Sequence, residues 1–273
     1  LGILTSVGET AESLRKSICR VRKMTGNPFG VNIMLKSPNV QELAKVLAEE
    51  KVPVVTTGAG NPVPFMEGWV RAGIRVIPVV ASVASARFME RYGASAIIAE
   101  GTESGGHIGE TTTFCLVPQA ADAIRIPVIA AGGIGDGRGM AAALLLGAQG
   151  VQIGTRFLLA RECPVHAEYK RLVREAKDTG TMVTGRRWKK PVRALKTPFT
   201  SRLADKEDRD GSPSITVETL GTGTLKKAVQ EGDRERGCFM AGQIAGLLDR
   251  EQSAGEIVEE IVTQAEKLLG IDW

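Results

Sequence analysis

Along this chain two patterns of apolar and polar positions alternate. Short, continuously apolar runs begin near residues 1, 28, 52, 75, 94, 127 and 150. Between them apolar residues recur at the three- and four-residue spacing that builds one face of a helix. Ser6-Val-Gly-Glu9 has capping-box spacing ahead of a helix that would bury Leu14, Ile18 and Val21. Ser37-Pro38 stands in the favoured N-cap and N1 order before Val40, Leu43, Val46 and Leu47. Ser82 precedes Val83, Ala86 and Met89, with Gly93 as a stop, and an Ala- and Leu-rich helix spans 136–146.

The apolar runs do not alternate with polar residues, as expected of strands covered on both faces of a parallel sheet. Strand and helix in turn make the βα repeat. Seven strands are visible and a closed TIM-type (β/α)8 barrel has eight. A first strand upstream of Leu1 would complete the count, and the chain opens on Leu1 rather than a methionine. The expectation is therefore a barrel over 1–160 lacking its N-terminal strand, with an open doubly wound sheet as the rival. From about Arg161 the regularity fades. A helix over 165–177, a basic run over 186–202, a charged and turn-rich stretch over 204–217 and helical segments near 225–229, 240–248 and 257–269 predict a C-terminal helical lid or subdomain over 161–273.

Composition narrows the class. Aromatic residues make up 4% of the chain while glycines number 32, which suits a fold with many tight βα turns and not a base-stacking nucleic-acid binder. The net charge of +4 is too mild to imply a nucleic-acid partner. Four scattered cysteines form no C-x-x-C pair, which points to a reducing cytoplasm and to no metal centre. No secretory pattern and no apolar run of roughly 18 residues is present, so neither export nor a membrane span is expected.

Active sites of parallel barrels lie at the C-terminal ends of the strands. One such end is the loop Glu100-Gly-Thr-Glu-Ser-Gly-Gly-His-Ile-Gly109, which holds one of only two histidines in the chain. It combines glycine backbone, free to approach a ligand, with an imidazole that can hold a proton near neutral pH. Gly132-Gly133 and Gly154-Thr155 end the last two strands, where barrels hold phosphate. A phosphosugar and FMN suit such a cradle equally, and no G-x-G-x-x-G is convincingly placed. The other histidine, His166, lies in an amphipathic helix and reads as a surface or satisfied residue. Neither H-E-x-x-H nor G-x-S-x-G occurs. The basic run, with Trp188 inside it, is either a solvated face or a landing surface for an acidic partner.

Six motifs in order carry a resemblance over nearly the whole chain: Val31-Asn-Ile-Met34, the loop 100–109, Ala130-Ala-Gly-Gly-Ile134, Gln152-Ile-Gly-Thr-Arg-Phe157, Pro191-Val-Arg-Ala-Leu-Lys196 and Met240-Ala-Gly-Gln-Ile-Ala-Gly246. Together they resemble the FMN-dependent enoyl-acyl-carrier-protein reductases of bacterial fatty-acid synthesis, in the superfamily of the nitronate monooxygenases. The resemblance implies FMN, with Gly133, Gln152, Ile153, Gly154 and Thr155 (and Gly132 beside them) at its phosphate and ribityl chain. It implies Asn32, Glu100 and Gly105 along the flavin and His107 facing the substrate. It also implies NADH or NADPH as reductant, an acyl-carrier-protein or CoA thioester as substrate, a homodimer, and stimulation by a monovalent cation. Nitronate oxidisers typically carry glutamine at the position of Glu100 and arginine at that of Ile108, so a reductase is expected ahead of a nitronate monooxygenase. A non-catalytic flavin- or phosphate-binding barrel is the third reading. Two departures stand out: the family's opening strand and Gln-Gly-Gly-Met-like turn do not precede Leu1, and Lys189-Lys190 replace a Gly-His ahead of Pro191.

Overall fold

The computed structural model describes residues 1–210 and 223–271. The chain opens with β1 (Ile3–Thr5), α1 (Ala11–Met24), β2 (Gly30–Met34), α2 (Val40–Glu49), β3 (Val54–Gly58), α3 (Val63–Arg71), β4 (Arg75–Val80) and α4 (Val83–Arg91). It continues through β5 (Ile97–Glu100), β6 (Gly106–His107), α5 (Thr113–Ala123), β7 (Val128–Ala131), α6 (Gly137–Leu145) and β8 (Gly150–Gln152). Then come α7 (Ala167–Glu175), β9 (Thr181–Thr184), β10 (Val192–Leu195), α8 (Pro198–Asp210) and α9 (Ala254–Leu269).

Seven parallel strands form one sheet in the order β1-β2-β3-β4-β5-β7-β8. The order follows the chain without reversing. That is the winding of a (β/α) barrel and not of an open doubly wound sheet, whose strand order turns back at a switch point. The predicted barrel class holds, and all seven predicted strands form.

The chain divides into two compact units, residues 1–99 with 119–129, and residues 100–118 with 130–273. In the first, Val31 and Ile33 of β2, Val55 of β3 and Val76 of β4 are fully buried, as are Leu43 and Leu47 of α2 and Leu14 and Ile18 of α1. The Trp69 indole N–H donates to the Ala44 carbonyl at 3.0 Å, tying α3 to α2. Ser82 caps α4 as predicted. Two other caps differ. The capping box of α1 is Thr10 with Ser13, not Ser6 with Glu9, and the Ser6 hydroxyl is buried without a partner. The N-cap of α2 is Asn39, two residues beyond Ser37, and its side chain donates to the Glu9 carbonyl instead of capping the helix. Both predicted signals have the right spacing, but the loop contacts that follow each strand decide which residue leaves extended backbone first.

In the second unit, α9 lies against α6 at Gly137, where an added Cβ would come within 2.6 Å of the Ala265 nitrogen and the Ile261 carbonyl. Asp136 caps α6. The stretch beyond Arg161 is not purely helical. Strands β6, β10 and β9 form an antiparallel sheet in that order, and β10 is buried at all four positions. Residues 204–210, expected to be turn-rich, complete α8, while 211–217 lie outside the described residues. The segment near 225–229 is helical as expected, residues 223–226 being α-helical and running into a π-helix over Lys227–Glu231, while 240–248 holds only a 3-10 turn over Gln243–Leu247. No helix among the described residues is long and apolar enough to cross a membrane.

Candidate active site

The loop after β5 is held at both ends. The Gly101 N–H donates to the Ala131 carbonyl at 2.9 Å, and the Ser104 N–H closes a turn onto the Gly101 carbonyl at 3.1 Å. Glu103 turns inward, where its carboxylate accepts the Thr113 N–H at 2.9 Å and the Thr113 hydroxyl at 3.0 Å. It thereby caps the first turn of α5, so this carboxylate is a fastener for the loop and not a free base. Further on, β6 pairs with β10, His107 opposite Val192 and Gly106 opposite Arg193.

Glycines bring this loop against its neighbours. An added Cβ on Gly105 would lie 2.7 Å from the backbone of Ala241, so only glycine lets the 240–243 segment close on the loop. The Gly242 N–H donates to the Thr155 hydroxyl at 2.9 Å, and the Gln243 N–H to the Glu103 carbonyl at 2.9 Å. The Tyr169 hydroxyl donates to the Met240 carbonyl at 2.7 Å and fixes the start of that segment. Gly132 and Gly133 take positive φ values of 92° and 71° in succession, and a Cβ on Gly133 would stand 3.4 Å from the Glu103 side chain. Glu103, Gly105, Gly132, Gly133 and Thr155 are thus brought together, in part through Thr113 and the 241–243 backbone.

Glu100 ends β5 and is half-buried. Burial pushes its carboxyl up to about 7, with the Ser104 hydroxyl pulling it partly back. That hydroxyl lies close enough to act on Glu100, yet neither Ser104 Oγ nor Thr102 Oγ1 makes a well-formed hydrogen bond, and both are buried. Buried hydroxyls without partners are expensive, so two in one loop mark a place where a polar ligand fits. The backbone N–H groups of Gly133 and Gly154 likewise donate to nothing among the described residues, and a Cβ on Gly154 would meet no atom within 4 Å. Gly133 follows Gly132 in a pair of positive-φ glycines, while Gly154 has a φ of −110° and precedes the 3-10 turn at Thr155–Leu159; exposed glycine N–H groups at such turns are donors an anionic phosphate can use. The residues present fit a phosphate-bearing cofactor.

Of the residues singled out from sequence, Glu100, Gly105, His107, Gly132, Gly133, Gln152, Ile153, Gly154 and Thr155 all fall in the second unit. The Ile153 side chain packs with Ala160, Ile257 and Ile261. Asn32 belongs to the first unit, where its amide donates to the Thr56 hydroxyl at 3.0 Å. His107 is exposed on β6. His166 is the N-cap of α7, its ring nitrogen accepting the Glu168 N–H at 3.1 Å, which is a satisfied structural role. No group of metal-ligating side chains occurs among the described residues.

One residue was missed. Arg193, read as part of the basic run, is buried, and its guanidinium donates to the Thr102 carbonyl at 2.9 Å and the Thr181 hydroxyl at 3.0 Å. The signal was available: an arginine between apolar neighbours in Val192-Arg-Ala-Leu195 has the pattern of a buried strand, not of a solvated face. The other cations of the run do reach solvent. Arg186, Arg187 and Lys189 are exposed on the turn between β9 and β10. Buried Glu207 of α8 holds that turn by accepting the Gly185 and Arg187 N–H groups at 2.6 and 2.7 Å.

Parallel strands in chain order, with a histidine loop and glycine turns at their C-terminal ends, define an α/β barrel with a candidate active site on that rim. The family model for nitronate monooxygenase matches residues 39–264, and the chain belongs to that family. Its structure is similar to FabK from Thermotoga maritima, with a TM-score of 0.94 and 49% identity over 99% of this chain and 86% of that one. The nitroalkane oxidase from Streptomyces ansochromogenes follows at a TM-score of 0.88 and 28% identity, covering 99% and 89%. Among curated relatives, a (3aS,4S,5R,7aS)-5-hydroxy-7a-methyl-1-oxo-octahydro-1H-indene-4-carboxyl-CoA dehydrogenase of Mycobacterium tuberculosis is 34% identical over 97% of this chain and 86% of its own length. A probable nitronate monooxygenase of Staphylococcus saprophyticus is 33% identical over 86% and 69%.

Proposed function

We propose that this protein is an FMN-dependent enoyl-thioester reductase, acting on trans-2-enoyl-acyl-carrier protein or the corresponding CoA thioester with NADH, less favourably NADPH, as reductant. The observation that carries this reading is the 49% identity to FabK across almost the whole chain, against 28% to the nitroalkane oxidase. The Mycobacterium relative, named for a carboxyl-CoA substrate, supports a thioester as the group handled. Glu100 and Ile108 in the histidine loop favour a reductase in the same direction.

When bound, FMN supplies the two-electron transfer between nicotinamide and alkene. The chain's own part is binding, orientation and proton handling. Gly133 and Gly154 offer N–H groups to the phosphate, with Gly132, Gln152, Ile153 and Thr155 around them. Asn32, Glu100 and Gly105 line the flavin. His107 donates a hydrogen bond to the thioester oxygen, or the proton taken up at the α-carbon; general acid help of this kind gives about 10²- to 10⁴-fold. The basic turn at Arg186, Arg187, Lys189 and Lys190 meets the acidic carrier protein or the phosphates of CoA. Work in the cytoplasm as a homodimer, with monovalent-cation stimulation, belongs to the same reading.

Purified protein loaded with FMN should absorb near 450 nm, bleach with NADH and recover on adding crotonyl thioester. His107→Ala should keep the flavin colour and lose at least ~10²-fold in kcat. Near wild-type turnover by that variant would remove His107 from the reaction. Oxygen uptake with propionate 3-nitronate, together with indifference to enoyl thioesters, would instead make the protein a nitronate monooxygenase, the reading favoured by the staphylococcal relatives. Flavin binding without either turnover would leave a binding barrel.

A further inference from the structure

Arg193 occupies the second position of a strand whose other members, Val192, Ala194 and Leu195, are buried and apolar, and it is itself only 7% exposed. It forms no ion pair among the described residues. Burial and the charge of Arg186 both work against its protonated form, and the Glu103 charge favours it more weakly. A buried cation without a paired anion is unfavourable, and an apolar residue of similar volume is often as stable or more so. What offsets that cost is the pair of hydrogen bonds the guanidinium makes, to the Thr102 carbonyl and the Thr181 hydroxyl.

Arg193 joins three segments, two through its guanidinium and one through its backbone. Nε holds the Thr102 carbonyl in the loop after β5, Nη1 holds Thr181 of β9, and the Arg193 backbone pairs with Gly106, the residue before His107. The Ile108 N–H donates to the Pro191 carbonyl at 3.2 Å, closing the far side of the same pairing. A two-residue strand such as β6 has too few ladder bonds to hold its own register. The guanidinium fastens the near end of the loop and the ladder fastens the far end, with His107 between Gly106 and Ile108.

We propose that Arg193 is a positioning residue, whose guanidinium fixes the 101–107 loop and so sets where the His107 imidazole stands. The proposal rests on His107 meeting the substrate, so its test needs one readout that does not depend on turnover. The chain has only two histidines, and their imidazole resonances can be assigned with His107→Ala. His166, capping α7, serves as the internal control.

The experiment compares Arg193→Met and Arg193→Lys with wild type as FMN-loaded proteins. In Arg193→Met the His107 resonance should move or broaden while that of His166 stays. FMN affinity and KM should stay within about threefold, and kcat should fall by about tenfold or more, the scale of an ångström-level misplacement. Arg193→Lys, which keeps the charge and one donor, should recover part of kcat and shift His107 less. A His107 resonance and a kcat both equal to wild type would overturn the proposal. So would loss of the near-ultraviolet dichroism in both variants, which would make the residue a structural support only. A shifted His107 resonance in a protein whose wild type reduces no enoyl thioester would leave the positioning role standing and overturn the assigned reaction instead.

Discussion

At the Glu100 carboxyl, burial and the nearby Ser104 hydroxyl pull in opposite directions and burial wins. Its affinity for a proton rises from an ordinary value near 4.5 to about 7. Between those two values the folded chain keeps a proton that the unfolded chain has released, so stability falls as pH rises through the window. This is opposite in sign to the usual ion-paired carboxylate, which contributes stability at high pH and loses it as pH falls. A shift of that size corresponds to at most ~3 kcal/mol between pH 4.5 and 7. Glu100→Gln, close to isosteric and uncharged, should remove this contribution and leave the variant more stable than wild type at pH 8. Urea midpoints measured across pH 4 to 8 check it, and parallel curves for the two proteins would show that Glu100 does not titrate in this range. The same proton gives Glu100 a functional meaning, since a neutral carboxylic acid can donate a hydrogen bond where a carboxylate cannot.

Among the elements, the β9–β10 hairpin shows most clearly how a local sequence takes its meaning from its partners. Its turn crowds Arg186, Arg187, Lys189 and Lys190 together, and Lys189 sits at a φ of 55°, a conformation that side-chain-bearing residues adopt only under constraint. The constraint comes from α8, through the two N–H groups that Glu207 accepts at Gly185 and Arg187. Charge-assisted bonds of this kind contribute about 1.5–3 kcal/mol each. Glu207→Gln keeps the volume but turns one acceptor into a donor facing an N–H. It should cost ~1–3 kcal/mol in chemical denaturation and raise amide exchange at 185–190 first. Unchanged exchange there would mean that the turn holds itself.

For the molecule as a whole, a net charge of +4 is modest, but its distribution is not even, because the run 186–202 contains no acid. Encounter with an acidic partner is governed by such local fields and weakens as salt screens them over roughly 8–10 Å at physiological ionic strength. Reversing Lys189 and Lys190 to glutamate should raise KM for carrier-bound enoyl substrate several-fold and flatten its dependence on salt. The kcat should change little, because in the proposed reaction the two lysines meet the carrier protein and not the reacting thioester. Equal KM values and equal salt slopes would reduce the turn to a solvated face.

Strand and helix periodicities are local properties, and the seven parallel strands, the Ser82 cap, the helix beginning at Asp136 and the glycine turns after β5, β7 and β8 were all legible from residue spacing alone. A βα repeat whose strands are apolar on both faces leaves little choice of sheet type. The candidate loop at 100–109 was legible for the same reason, since a histidine among glycines directly after a buried strand is a local signal. Contacts between residues far apart in sequence decided the rest. Thr10 and Asn39 took over the N-termini predicted for Ser6 and Ser37 because the loops after the strands set where each helix begins. Glu103 became a fastener because Thr113 stands opposite it, Gly105 is required by the backbone of Ala241, and Arg193 left the basic run for the interior because β10 is buried on both sides. Spacing along a chain reports which way a side chain points relative to its own element. Whether that direction leads to water, to a neighbouring carbonyl or to a ligand depends on what other segments bring there, and only the tertiary structure supplies them.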